Sequence, residues 1–210
     1  MSKNFPKLIP IFPLSGVIYF PKTNLPLNIF EQRYLNLIND CMKSNKLMGM
    51  IQSKKDNDDV YSVGCLGQIN DYQKSADGRI LVNLTGLTRF EVLKEVNNTK
   101  LYREFEVSYQ KFTTDFNDKN NNELNINSLE SLLNKAKKFF KKNGLLLNWR
   151  EFEKLDQYQQ INTLAMISPI SNEEKQKLLE SINLNDKAEV LSEIMEFYLF
   201  NDNSSNTTMQ

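Results

Sequence analysis

Apolar and polar positions follow one rhythm up to about residue 112 and another beyond it. The first half is built of short apolar runs, some with a two-residue period, as strands with alternate faces require. Leu8-Ile9-Pro10-Ile11-Phe12-Pro13-Leu14 is an apolar run interrupted by prolines. Proline cannot donate to a ladder, so an edge strand or a bulged one is predicted. Gly16 to Phe20 continues extended, Pro21 turns the chain, and Leu25-Pro26-Leu27-Asn28-Ile29-Phe30 leads into a helix. Tyr34, Leu35, Leu37, Ile38, Cys41 and Met42 form one apolar stripe, predicting that helix over about residues 31–44. Met48 to Gln52 reads as a short buried strand and Lys54 to Asp59 as a polar loop. Gly64 to Asp71 and Arg79 to Gly86 read as a hairpin about Asp77-Gly78, where glycine accepts the positive φ of the turn. Arg89 to Val96 and Leu101 to Phe112 read as a second pair around Asn97-Asn98. Short strands at regular spacing with one early helix predict a small closed or semi-closed β-barrel.

The second half has helical periodicity. Lys111 to Asn122 is polar and asparagine-rich and marks the boundary, giving a barrel over 1–112, a helical part over 123–200 and a frayed tail over 201–210. Asn127 with Glu130 reads as an N-terminal cap, followed by the stripe Leu129, Leu132, Leu133, Ala136, Phe139, Phe140 and a stop at Asn143-Gly144. A second helix is predicted from Trp149 to Ser168-Pro169, a third behind the capping box of Ser171 and Glu174, and a fourth behind Asp186 and Glu189. The wide apolar stripes, with Trp149, Phe139 and Phe140, lead to the expectation that the helices pack on the barrel. The fold class expected is α+β.

Charge and composition narrow the chemistry. Twenty-six basic and 26 acidic side chains leave no net charge to gather nucleic acid or an anionic membrane. The sum runs from +4 over residues 1–112 to −4 over 113–210, a change of character too small to name a partner. No run of about 18 apolar residues could span a membrane, and no apolar signal core opens the chain. A cytoplasmic protein with Cys41 and Cys65 reduced is therefore expected. Histidine is absent, which removes the usual general base near neutral pH and every His-bearing zinc motif. No phosphate-cradling P-loop, dinucleotide fingerprint or Gly-x-Ser-x-Gly elbow occurs. Asp56, Asp58 and Asp59 do not make a calcium loop, because Val60 stands where an oxygen ligand is needed and the loop glycine is missing. No cofactor, ATP or metal is expected. Lys135, Lys137, Lys138, Lys141 and Lys142 form one basic cluster, read as a solvated helix face near a C-terminal dipole rather than a phosphate site.

Ile9-Pro10-Ile11-Phe12-Pro13-Leu14, Val17, Phe20-Pro21 and Leu25 through Tyr34 resemble the opening of Lon protease amino-terminal domains, especially the stand-alone bacterial members. Those usually place proline between the Glu and the Arg; here Gln32 stands there. Tyr61 to Ile69 resembles the family's Gly-x-x-x-x-Ile strand, Asp77-Gly78-Arg79 its hairpin, Gly86 with Arg89 its Gly-x-x-Arg, and Ser168 to Glu180 its late helical segment. The resemblance implies a PUA-like β-barrel with one early helix, followed by a C-terminal helical bundle. It implies structural roles for Pro13, Pro21, Glu31, Arg33, Gly64, Gly86 and Arg89, with Arg89 expected to pair with Glu31. It implies a non-enzymatic module for unfolded or hydrophobic polypeptide segments, linked to protein quality control, without Lon's ATPase and Ser–Lys peptidase modules. RNA binding, which other PUA-like barrels perform, is the alternative class, and the neutral charge opposes it. An apolar groove near Phe20, Leu27, Ile29, Phe30 and Tyr34, beside an open edge on the proline-rich first strand, is the expected peptide site, the alternative being that all five side chains are plain core.

Overall fold

A computed structural model describes residues 5–54, 59–116 and 124–201. The chain divides into two compact units, 1–120 and 121–210. The loop with Asp56 and Asp58, the second half of the polar connection and the tail beyond Asn201 lie outside the described residues.

The first unit has six strands, β1 (Leu8–Leu14), β2 (Asn24–Ile29), β3 (Leu47–Ser53), β4 (Val60–Lys74), β5 (Ile80–Val96) and β6 (Arg103–Ser108), one helix, α1 (Gln32–Lys43), and a 3-10 turn over Gln110–Asp115. The strand order is β2-β5-β4-β3-β1-β6, and β6 pairs again with β5. Five strands thus close into a ring, while β2 lies outside it against the first half of β5. The expected α+β class is met, with three differences in detail.

First, β1 is an inner strand, parallel to β3 and antiparallel to β6. The Val107 N–H donates to the Lys7 carbonyl, which fixes Ile9 and Ile11 as the residues hydrogen-bonded to β6. Pro10 therefore faces away from β6 and precedes the β3 ladder, while Pro13 follows the last β6 pair at Ile11. Each proline falls where its missing donor breaks no rung. Second, β5 is one strand of 17 residues and not two pieces split at Gly86. The adjacent β4 residues Leu66 and Gly67 pair with Thr88 and Gly86, so Leu87 is the extra residue of a bulge in β5, which takes up the irregularity beside Gly86 and lets the strand run on. Third, Leu25 to Ile29 is itself a strand paired with β5, and the chain after Ser108 coils into the 3-10 turn instead of extending to Phe112.

Two apolar clusters fill this unit from opposite faces of β1. Ile9 and Ile11 join Ile51, Leu66, Phe90, Phe105 and Val107, whereas Phe12 joins Tyr34, Leu37, Ile38, Cys41, Met48 and Leu84 under α1. Gly64 carries no side chain because an added Cβ would lie 2.5 Å from both the Met50 carbonyl oxygen and Phe90 Cζ. Asp77-Gly78 forms the predicted turn, with Gly78 at φ +88°.

The second unit is helical: α2 (Ile126–Lys142), α3 (Trp149–Phe152), α4 (Gln157–Ile167), α5 (Asn172–Glu180) and α6 (Leu184–Asn201). The Ser171–Glu174 capping box and the stop at Gly144, φ +66°, are as expected. Asn125, not Asn127, caps α2, and the Asn183 side chain, not Asp186, accepts the Asp186 N–H that opens α6. The single helix expected after Trp149 is two, because Asp156 and Gln159 form a further capping box. Phe139, Phe140, Leu164, Leu191 and Met195 are buried, and Trp149 meets Phe140 and Phe152 edge-on. Among the described residues, no helix is long and apolar enough to cross a membrane.

Candidate functional site

The five residues expected to line a peptide groove are not brought together on a surface. Phe20 is 0 %, Ile29 3 % and Tyr34 6 % exposed. Ile29 and Tyr34 belong to the cluster under α1, and Leu27 packs partly buried against it. Phe30 alone among the five is largely exposed, at 68 %. The apolar face of β2 and the stripe of α1 look toward each other and use one another up. The expected open edge on β1 is closed by β3 and β6.

A depression of about 640 Å³ lies instead on the strands β2, β5 and β4, lined by Pro26, Leu27, Asn28, Asp71, Tyr72, Gln73, Leu81, Val82 and Asn83. Strand alternation decides which side of the sheet it occupies. Val82 is buried beneath α1 and the Tyr72 hydroxyl reaches Asn39 of α1 at 3.5 Å, so these side chains and Leu27 point to the helix side. The walls are therefore the side chains of Pro26, Asn28, Asp71, Gln73, Leu81 and Asn83, over a floor of intervening main chain. Two rows cross the strands: Pro26–Asn83–Asp71 and Asn28–Leu81–Gln73. Asn83 donates to the Asp71 carboxylate at 3.3 Å, and beyond the depression Asn70 donates to Thr85, which donates to Asn24 at 2.7 Å. Asp71 is the single charged side chain of the lining, and Leu81 is exposed at 42 %. The sequence signal for this face was present. Asn24, Asn28, Asn83 and Thr85 alternate with apolar residues, a pattern legible only once Leu25 to Ile29 is known to be a strand.

The free side of β2 has its own character. Gly86 N–H donates to the Thr23 carbonyl, so in the register Leu25↔Leu84 and Leu27↔Val82 the residues hydrogen-bonded to β5 are Leu25, Leu27 and Ile29. Asn24, Pro26 and Asn28 turn their main-chain groups outward, and Pro26 has no N–H to offer there.

The residues marked by family motifs sit in the frame around this face. Arg89 is 1 % exposed and its guanidinium meets Asp115 at 2.8 Å, over the Phe112 ring at 4.3 Å. It does not pair with Glu31, which stands at the N-cap position of α1 without a side-chain capping bond and instead meets Arg33 at 2.9 Å. Arg33 also lies over the Tyr34 ring at 4.5 Å, and the Tyr34 hydroxyl approaches the Pro13 carbonyl at 3.5 Å. Pro21 is buried at the turn into β2, and Gly86 has no room for a Cβ, which would run into the Phe20 carbonyl. Asp115 was not singled out from the sequence, since nothing local distinguishes it from other acids of the polar connection.

Elsewhere the chemistry is quiet. Cys41 and Cys65 are buried and in no disulfide, and burial followed by the nearby Asp40 pushes the Cys41 thiol up to about 12. No group of three or more His, Cys, Asp or Glu among the described residues could hold a metal ion. In the basic cluster, Lys135 bonds Ser192 and Glu196, Lys137 bonds Glu153, and Lys142 bonds the Tyr198 and Leu199 carbonyls.

Comparison with known proteins places these features in context. The sequence model of the ATP-dependent protease La (LON) substrate-binding domain matches residues 8–196. Lon protease of Buchnera aphidicola subsp. Acyrthosiphon pisum is 28 % identical over 196 residues, covering 90 % of this chain and 25 % of that protein. Lon protease of Dictyoglomus thermophilum is 25 % identical over 195 residues, covering 89 % and 24 %. The chain spans about a quarter of the length of these curated relatives. Among solved structures, a Lon N-terminal domain protein from Xanthomonas campestris superposes with a TM-score of 0.64 at 21 % identity, covering 88 % of this chain and 96 % of that one. The N-terminal domain of Mycobacterium avium complex Lon protease superposes with a TM-score of 0.66 at 16 % identity, covering 90 % and 98 %.

Proposed function

Because the chain belongs to the Lon substrate-binding domain family, with the match running from residue 8 to 196, we propose that it binds polypeptide segments as a recognition module, without ATPase or peptidase chemistry of its own. The role fits protein quality control in the cytoplasm, with unfolded or hydrophobic segments of other proteins as clients and no need of ATP, cofactor or membrane. The family match carries this reading. The depression on β2, β5 and β4 supports it: amide side chains, proline and leucine offer a neutral, part-apolar surface, and one carboxylate and no cation stand in it. Phosphates are bound through lysine and arginine, so the same lining opposes the RNA alternative. The tie of Lys135, Lys137 and Lys142 to internal partners opposes it in the second unit as well.

Titration of casein and of a short single-stranded RNA at low and high salt separates the two classes. Casein is expected to bind weakly, on the order of micromolar, as suits a transient contact, and to lose little affinity with salt. RNA binding that collapses with salt, with casein unbound, would overturn the reading. ATP hydrolysis or casein cleavage by the purified protein, abolished by a substitution in this chain, would do the same for the non-enzymatic part.

A further inference from the structure

The outer face of β2, β5 and β4 has a chemistry more particular than a greasy patch. Asn28, Gln73 and Asn83 each present a neutral carbonyl acceptor and an NH₂ donor, so together they can satisfy both halves of a peptide group without selecting a side chain. Pro26 and Leu81, in adjacent rows, give apolar contact between those amides. Asp71 stands diagonally from Leu81 across the β4–β5 register, where Asn83 faces Asp71 and Leu81 faces Gln73. Diagonal neighbours on such a pair lie roughly 7 Å apart. A residue next to one anchored on Leu81 is therefore within reach of the carboxylate, above all a lysine or arginine with its long stem. The remaining charges of the hairpin do not compensate Asp71. Arg79 is tied to Asp77 at 2.7 Å, and Lys74 shares the helix side of β4 with Tyr72.

Accepting the polypeptide-binding reading on which this rests, we infer that this face holds an extended segment laid across the strands. Its main chain is read by Asn28, Gln73 and Asn83 and an apolar side chain rests on Leu81. Asp71 selects for a basic and against an acidic residue beside that anchor. The occupant is a client segment whose apolar residue is flanked by lysine or arginine. It lies on the sheet face and does not extend β2, because the free edge of β2 lacks a donor at Pro26.

Fluorescence anisotropy with labelled nine-residue peptides tests this on the full chain. One apolar core is flanked by lysine, serine or glutamate, and each peptide is titrated against the wild type, Asp71→Asn and Leu81→Asp. Asp71→Asn keeps the shape and an oxygen for Asn83, and its melting curve is compared with the wild type. At low salt the lysine-flanked peptide is expected to bind about three- to tenfold tighter than the glutamate-flanked one, as a single exposed carboxylate allows. That gap shrinks in high salt, closes in Asp71→Asn, and the serine-flanked peptide is unaffected by that change. Leu81→Asp weakens the lysine-, serine- and glutamate-flanked peptides. If Leu81→Asp abolishes binding but the wild type ignores the flanks or prefers glutamate, selection by Asp71 is wrong and polypeptide binding at this face stands. A lysine preference that persists in Asp71→Asn also overturns it. If Leu81→Asp leaves peptide binding intact, this face is not the site, while polypeptide binding stands. If none of the peptides and no casein binds, the underlying reading fails with it.

Discussion

Arg89 and Asp115 form a buried ion pair across 26 residues: Nε and Nη2 of the guanidinium and the Arg89 main-chain N–H all donate to the one carboxylate. This contact ties the 3-10 turn to the middle of β5 and so fastens the last segment of the first unit to the ring. Removing one partner strands the other away from water, at a cost of about 3–5 kcal/mol. Arg89→Met is expected to lower stability by that order in urea unfolding. Adding Asp115→Asn, which keeps an oxygen for the Arg89 N–H, is expected to restore most of the loss. Failure of the double variant to recover would show that the guanidinium contributes mainly through its packing on Phe112.

Gly86 sits where β5 passes under the Phe20–Pro21 main chain, and its N–H and C=O bond Thr23 and Lys22. Any Cβ meets backbone there, which cannot swing aside as a side chain can. Gly86→Val is expected to lower the melting temperature by at least about 5 °C, the scale of 1–2 kcal/mol for a domain of this size. Gly78→Ala, at a turn glycine with open space around it, should cost less, by the strain of its positive φ. Equal effects would show that Gly86 is not a close-approach site.

Much of the fold was legible because periodicity reports one buried face at a time. The stripe on α1, the Asp77-Gly78 turn and the Ser171–Glu174 box all appear where local chemistry put them. What stayed hidden depends on neighbours distant in sequence. The inner position of β1 rests on β3 and β6 pairing around its two prolines, and the unbroken course of β5 rests on a bulge at its own Leu87, taken up in the pairing with β4. The burial of the residues expected to line a groove was hidden for the same reason. Phe20, Ile29 and Tyr34 are apolar because they fill a core, and apolarity alone does not say which side of a strand meets water. Leu81, Asn83 and Asp71 share a face only through the β4–β5 register, which no local motif announces.

Alkaline pH should loosen the first unit. Burial, followed by the hydrogen bond to Asp40 at 2.9 Å, pushes the Tyr102 hydroxyl up to about 12, and the Cys41 thiol stands at about 12 as well. Both raised values favour the neutral form in the folded protein. Their stabilisation is complete below the unfolded values of roughly 8.5 to 10 and is lost as pH rises toward about 12. The urea midpoint is expected to be level from about pH 7 to 8 and to fall above about pH 9. Cys41→Val should flatten the first part of that fall. A midpoint that holds to pH 11 would contradict the burial of both groups.

Lys142 ends α2 with its ammonium on the Tyr198 and Leu199 carbonyls of α6, at 2.8 and 3.1 Å. A cation on the last free carbonyls of a helix stabilises it by about 0.3–1 kcal/mol. Lys142→Ala is therefore expected to destabilise the second unit slightly and to raise hydrogen exchange at the end of α6. If Lys142 served a polyanion instead, its loss would weaken RNA binding and leave exchange in α6 unchanged.

Pro26 makes the edge of β2 a poor template for another strand. Of the three residues facing outward, Asn24, Pro26 and Asn28, the central one cannot donate, so an incoming strand would find an acceptor where a rung needs a donor. The proline does not disturb β5, because its own position faces away from it. Pro26→Thr restores the N–H with a residue suited to strands and leaves the β2–β5 register intact. The fold and melting temperature are expected to stay close to wild type while self-association rises, seen as concentration-dependent sedimentation. The same change separates face from edge recognition. A client lying across the depression gains nothing from a donor on the free edge, whereas one that extends the sheet gains a rung and binds tighter. Peptide affinity that does not rise, and falls slightly with loss of the apolar contact of Pro26, while self-association increases is the expected outcome, and a parallel rise in both would assign the client to the edge.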